Sequence, residues 1–132
     1  MQCPECGGDT LAVAVPDDLR EYLPSDPTTA AICRRCLTTT PYEGSVTDDL
    51  AAVVEFSTRL PDDPETALAL ALLVTLCDSL ALYRSEIEAL VARIERAGVD
   101  PLSTLAYLEG DPGLDLALDV ERRRHQLVQL LE

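Results

Sequence analysis

Residues 64–98 read PETALALALLVTLCDSLALYRSEIEALVARIERAG, and the architecture turns on whether they form one helix. Asp63 stands before them as an N-cap, Pro64 suits the first helical position, and Glu65 meets the positive end of the helix dipole. Gly98 supplies a C-terminal stop, with Arg93 and Arg96 near the negative end. Leu73, Leu76, Leu80, Tyr83, Ile87, Leu90 and Ile94 recur at alternating steps of three and four, as in a coiled-coil seam. The spacing predicts one helix over about residues 63–97, ~50 Å long at 1.5 Å per residue.

A stripe of that length needs a cover. Asp100-Pro101 opens a second capped segment, a short helix over about residues 101–109, broken by Gly110. LDLALDVERRRHQLVQLLE then gives a C-terminal helix over about residues 116–131, with Ala117, Val120, Arg124, Leu127 and Leu131 on its seam. Folded back through a short connection, these segments make an antiparallel α-helical hairpin or bundle with one long helix. The final helix is too short to cover the whole stripe. The remainder must pack on residues 46–60, on the N-terminal part, or on a second copy, as a homodimer through the long helix. Residues 46–60 fit both helical and alternating spacing; their alanine content and the capping candidates Thr47 and Asp48 favour helix.

Residues 1–44 form a different compositional unit, poor in large side chains. LAVAV (residues 11–15) is β-prone and ends at Pro16. DDLREYLP suits a helical turn or two, capped by Asp17 or Asp18 and closed by Pro24. AAIC and LTTTP read as short strands. Between and before these strands stand Cys3-Pro-Glu-Cys6-Gly-Gly and Cys33-Arg-Arg-Cys36, two C-x2-C doublets separated by 26 residues. Each doublet can place two thiolates on one side of a tight turn, and two such turns facing one another make a tetrahedral S4 cage. Four soft thiolates favour Zn2+, although rubredoxin-like iron or an iron–sulfur cluster uses the same donors. Gly7 and Gly8 leave room for backbone N–H groups to approach sulfur. The expected fold class is therefore small α+β, with an N-terminal zinc ribbon over 1–44 and a helical domain over 45–132. The metal ligands are Cys3, Cys6, Cys33 and Cys36. Metal is expected because this unit lacks the apolar mass to fold without a cross-link.

Four protein ligands close the cage, whereas zinc catalysis keeps a position open for water. The chain also has no phosphate loop and no nucleophile paired with a base, so no catalytic residue is assigned and no enzyme is expected. The zinc is expected to be structural. Cys77, in the most apolar stretch, reads as a buried, inert thiol.

The 132 residues carry a net charge of -14, from 24 acidic and 10 basic side chains, and every basic one is arginine. Such charge repels nucleic acid and anionic membrane at ordinary ionic strength. At ~1 M salt, where the Debye length is ~3 Å, that repulsion is screened. No basic region followed by an apolar one leads the chain, and its longest nearly apolar run, residues 67–77, is about half a bilayer helix. With cysteines spaced for metal, this predicts a cytoplasmic protein in a reducing compartment that does not enter the membrane.

The doublets CPECGG and CRRC, the acidic lysine-free composition, LCDSLALYRSEIEALVARIERAGVDP and the terminal DVERRRHQL together resemble a family of small uncharacterised haloarchaeal zinc-ribbon proteins. The resemblance spans the chain. It implies a halophilic, cytoplasmic, zinc-bearing protein and brings no catalytic residues.

Arg34 and Arg35 lie inside the second doublet, and Arg122, Arg123 and Arg124 precede His125 in the densest basic stretch. Their plain reading is solvated side chains or ion pairs: Arg124 with Glu86 or Asp78, the doublet arginines with Glu5, and Glu121 with His125 four residues on. Their functional reading is a partner-binding surface. Two functions follow. The first is a non-enzymatic adaptor or scaffold mediating protein–protein interaction. The second is a nucleic-acid-associated factor in transcription or translation, in which the arginines contact phosphate.

Overall fold

A computed structural model of the chain describes residues 2–117 and 119–131. Three short strands build an antiparallel sheet in the order β1 (Thr10–Ala14), β2 (Thr29–Cys33), β3 (Thr39–Pro41). The register sets Leu11 opposite Ile32 and Val13 opposite Ala30, so these four share a face. That face joins the apolar core. β2, in the middle, is buried along its whole length.

The connection from β1 to β2 carries a 3-10 helix, Asp17–Tyr22, with Leu19 and Tyr22 turned inward. Neither Asp17 nor Asp18 caps it. Pro16 holds the N-cap position, and the Asp18 carboxylate meets Arg93 instead. A second 3-10 helix, Leu50–Phe56, occupies part of the segment 46–60, whose spacing fits both helix and strand. Its cap is Asp49, whose Oδ1 accepts the Ala51 N–H at 3.0 Å, and not Thr47 or Asp48. The backbone N–H groups of those two both donate to the Ala12 carbonyl, covering an edge of β1.

α1 (Pro64–Leu76) begins as the sequence predicts, with Asp63 Oδ2 accepting the Thr66 N–H at 3.2 Å. The single helix over 63–97 is not found. After Leu76 the chain tightens into a 3-10 turn, Cys77–Ser79, and the Ser79 carbonyl accepts the N–H groups of both Leu82 and Tyr83 at 3.1 Å. Helix resumes as α2 (Arg84–Arg96), which runs back beside α1. Arg93, near the end of α2, donates to Glu65 Oε1 at the start of α1 at 3.1 Å. Arg93 therefore ties three segments together: α1, α2 and the first 3-10 helix.

The reason for the reversal lies in α1. Ten of its thirteen residues are buried, so it is apolar on every side and not along one stripe. Such a helix must be surrounded. A straight extension would carry Ile87, Leu90 and Ile94 away from the core, whereas the reversal buries all three. Each is worth ~1.5–3 kcal/mol of transfer free energy. Leu73, Leu76, Leu80, Ile87, Leu90 and Ile94 are all buried within the chain and Tyr83 is half-buried, so these seam positions pack internally.

α3 (Pro101–Glu109) follows, capped by Asp100 Oδ1, which accepts the Leu102 N–H at 3.1 Å. α4 (Val120–Leu131) packs on α3, not along one long helix, and Glu109 Oε2 accepts the Val120 N–H at 3.0 Å. The helix expected from 116 therefore starts later; residues 114–117 belong to no helix, and Leu118 lies outside the described residues. On α4, Val120 and Leu127 face inward as expected, but Arg124 is exposed. The core takes Val13, Ile32 and Leu37 together with Leu68, Leu72, Ile87, Leu105 and Leu127, so it draws on both sides of the 44–45 boundary. Thr75 fastens the two sides, accepting the Thr39 N–H at 2.9 Å while donating to the Ala71 carbonyl. Among the described residues no helix is long and apolar enough to cross a membrane.

Candidate metal centre

Sheet register brings the two doublets together. Thr10 pairs with Cys33, so the first residue of β1 lies opposite the first cysteine of the second doublet. An isolated bridge between Gln2 and Asp9 closes the first doublet into a loop, and the Arg34 N–H donates to the Asp9 carbonyl at 3.0 Å. The second doublet is the turn from β2 to β3.

The two loops repeat one geometry. The Gly7 N–H donates to the Cys3 carbonyl at 2.9 Å, and the Leu37 N–H to the Cys33 carbonyl at 3.0 Å. The Cys3 N–H donates to the Gly8 carbonyl at 2.8 Å, and the Cys33 N–H to the Thr38 carbonyl at 3.0 Å. Glu5 N–H approaches Cys3 Sγ at 3.4 Å, as Arg35 N–H approaches Cys33 Sγ at 3.4 Å. Gly8 N–H reaches Cys6 Sγ, also at 3.4 Å. A Cβ on Gly8 would lie 3.1 Å from Arg35 Cβ and 3.3 Å from the sulfurs of both Cys6 and Cys33, a tight fit that a larger residue could occupy only by pushing these neighbours aside.

The four Sγ atoms lie within 4.8 Å of one another, with Cys3–Cys36 at 3.7 Å and Cys6–Cys33 at 3.5 Å. A tetrahedral ion with metal–sulfur bonds of ~2.3 Å needs sulfurs ~3.8 Å apart. The donor set fits: these cysteines can hold a metal ion as an S4 site. Cys3, Cys33 and Cys36 are buried and Cys6 is half-buried.

Burial pushes the Cys33 thiol above its ordinary value and raises Cys36 to about 12, against the lowering effect of the Thr38 hydroxyl and backbone. The Gly8 N–H holds Cys6 below its ordinary value. A metal ion must therefore displace protons from the buried pair, and once it has done so the surrounding N–H groups stabilise the thiolates.

One component of the site was missed in the sequence. The Asp115 N–H donates to the Arg35 carbonyl at 2.8 Å, and the Ala117 N–H to the Cys36 carbonyl at 3.2 Å. Residues 114–117 thus lie against the second doublet, held by two backbone hydrogen bonds. The Asp111-Pro112-Gly113 turn and the alternation in LDLA were the available signals.

The arginines are distributed differently from the expected ion pairs. Arg34 lies over the Phe56 ring, 5.5 Å from its centroid. Arg35, Arg122 and Arg124 are exposed; Arg123 is half-buried and donates to Gln126 Oε1 at 2.8 Å. Among the described residues, Glu5, Glu86 and Asp78 form no ion pair with them, and Glu121 forms none with His125. Cys77 is buried at the end of α1, as expected of an inert thiol.

A three-stranded antiparallel sheet with paired cysteine loops at one end, covered by helices, defines a small α+β protein whose four clustered cysteines could hold a metal ion. The chain belongs to DUF6276, a family of unknown function, which it matches over residues 2–131. No curated protein and no solved structure shows a significant match.

Proposed function

We propose that this protein is a non-enzymatic zinc-ribbon adaptor or scaffold acting through protein–protein contacts, with Zn2+ as a structural ion on Cys3, Cys6, Cys33 and Cys36. The observation that carries the reading is the convergence of four thiols within 4.8 Å, mostly buried and met by backbone N–H groups. Four thiolates saturate a tetrahedral ion and leave it no position for water, so the metal clamps and does not catalyse. Soft sulfur donors favour zinc among the ions of a reducing compartment.

With the apolar stripe used internally, partner contacts fall to the outer surface. Leu82 is 73% exposed beside a recess of about 530 Å³ between residues 79–82 and α4. Affinity capture in molar salt, with protein and nucleic acid both analysed, tests the reading. A stable protein partner lost on Leu82→Asp supports it. Recovery of RNA or DNA, abolished by replacing Arg35, Arg122 and Arg124, would favour the nucleic-acid factor instead. That second reading is supported by the exposure of those three arginines, together with Arg34 and Arg123 nearby in sequence. It is weakened by Glu5, Asp115 and Asp119, which line a groove beside the same cysteine loop.

A further inference from the structure

We infer that residues 114–117 are a strap that locks the metal centre, so that metal occupancy and docking of the strap stabilise one another. The inference rests on the reading of the four cysteines as a zinc site.

Three observations converge on it. The two N–H groups of Asp115 and Ala117 are held by consecutive carbonyls, Arg35 and Cys36, in the loop that supplies two ligands. The strap is anchored at its start: Ser57 Oγ donates to the Asp111 carboxylate, Asp111 Oδ1 accepts the Gly113 N–H at 2.8 Å, and Leu114 is buried in the core. Finally, the strap borders a groove of about 410 Å³ that reaches Cys6 and Cys36, and Cys6 is the least buried of the four ligands. An incoming chelator or thiol would meet Cys6 first, beside the strap.

The coupling follows from geometry. Two donors two residues apart need two acceptors at fixed spacing, and the Arg35 and Cys36 carbonyls hold that spacing only while their loop keeps its shape. Metal fixes the loop through Cys33 and Cys36. Losing the metal loosens both acceptors, and losing the strap loosens the loop; linkage requires the two effects to be equal in free energy.

The test uses the full chain loaded with Zn2+ and follows release into excess chromophoric chelator at neutral pH. Asp115→Pro removes the N–H that meets Arg35, while Asp115→Ala keeps it and removes only the carboxylate. The strap requires release about five- to tenfold faster from Asp115→Pro, the effect of about one net hydrogen bond, and release from Asp115→Ala close to wild type. Hydrogen exchange on the zinc-loaded wild type needs no variant: the amides of 115 and 117 must exchange far more slowly than exposed loop amides. Free exchange at both positions, or equal release from wild type and Asp115→Pro at one zinc per chain, would overturn the strap alone. Failure of the chain to take up zinc would overturn the metal reading and the strap with it.

Discussion

Leu37 stands in the second cysteine loop where Gly7 stands in the first, one residue beyond the last ligand, and both adopt left-handed backbone, φ +65° and +76°. A glycine takes this conformation freely and a leucine does not. Leu37 is retained there against that preference because its side chain is fully buried in the core. The loop that faces solvent uses glycine; the loop that faces the helices uses a leucine that also packs.

Substitution at either position should destabilise, for different reasons. A Cβ at Gly7 would meet nothing within 4 Å, so Gly7→Ala costs only backbone strain, roughly 1–2 kcal/mol. Leu37→Gly relieves a similar strain but deletes a buried side chain worth about 2–5 kcal/mol, so it too destabilises. Thermal unfolding of the zinc-loaded protein measures both; a stabilised Leu37→Gly would mean that loop geometry outweighs packing.

Metal affinity should fall steeply with acidification. Burial raises Cys33 and Cys36 above their ordinary values, so at neutral pH both are protonated without metal and each must release a proton on binding. Those two protons alone weaken the apparent affinity about a hundredfold for each pH unit lowered. Competition titrations with a zinc chelator at pH 6, 7 and 8 would show it; a slope below two protons would contradict the buried, neutral pair.

Cys77 carries an alkaline signature. Burial raises its thiol from 9.0 to about 12, so folding gains stability from the neutral thiol below pH 9 and loses it as pH climbs toward 12. Cys77→Ala leaves a small cavity and should cost about 1 kcal/mol at pH 8. The gap between variant and wild type should then close and reverse by pH 11, because ionisation of the unfolded thiol costs the wild type about 1.4 kcal/mol per pH unit above 9. Denaturant melts at the two pH values provide the comparison, and a constant gap would count against the burial.

α1 should tolerate truncation on no side. Leu68 and Leu72 share one face of the helix and Leu70 lies on the opposite one, and all three are fully buried. Each change to alanine should cost about 2–5 kcal/mol, while Leu82→Ala, on the exposed turn, should cost less than about 0.5. An amphipathic helix would instead show one sensitive face, so a near-neutral result at any of the three would argue against a surrounded helix.

The sequence by itself determined what depends on neighbours along the chain. The two cysteine doublets that could hold a metal, the caps at Asp63 and Asp100, the short strands around Cys33 and the extent of α3 follow from spacing and from side chains that bond their own backbone. The tertiary structure decided what depends on segments far apart. Nothing in CDSLALYR marks a reversal, since it contains neither glycine nor proline. The turn exists because α1 is apolar on all sides and α2 is the segment able to cover it. The same holds for the strap: the alternation in LDLA allows an extended segment, but only the carbonyls of Arg35 and Cys36, some eighty residues earlier, select it. Capping and metal-ligand chemistry act over a few residues and leave a local signature, whereas the burial of an all-round apolar helix is settled only when the rest of the chain closes around it.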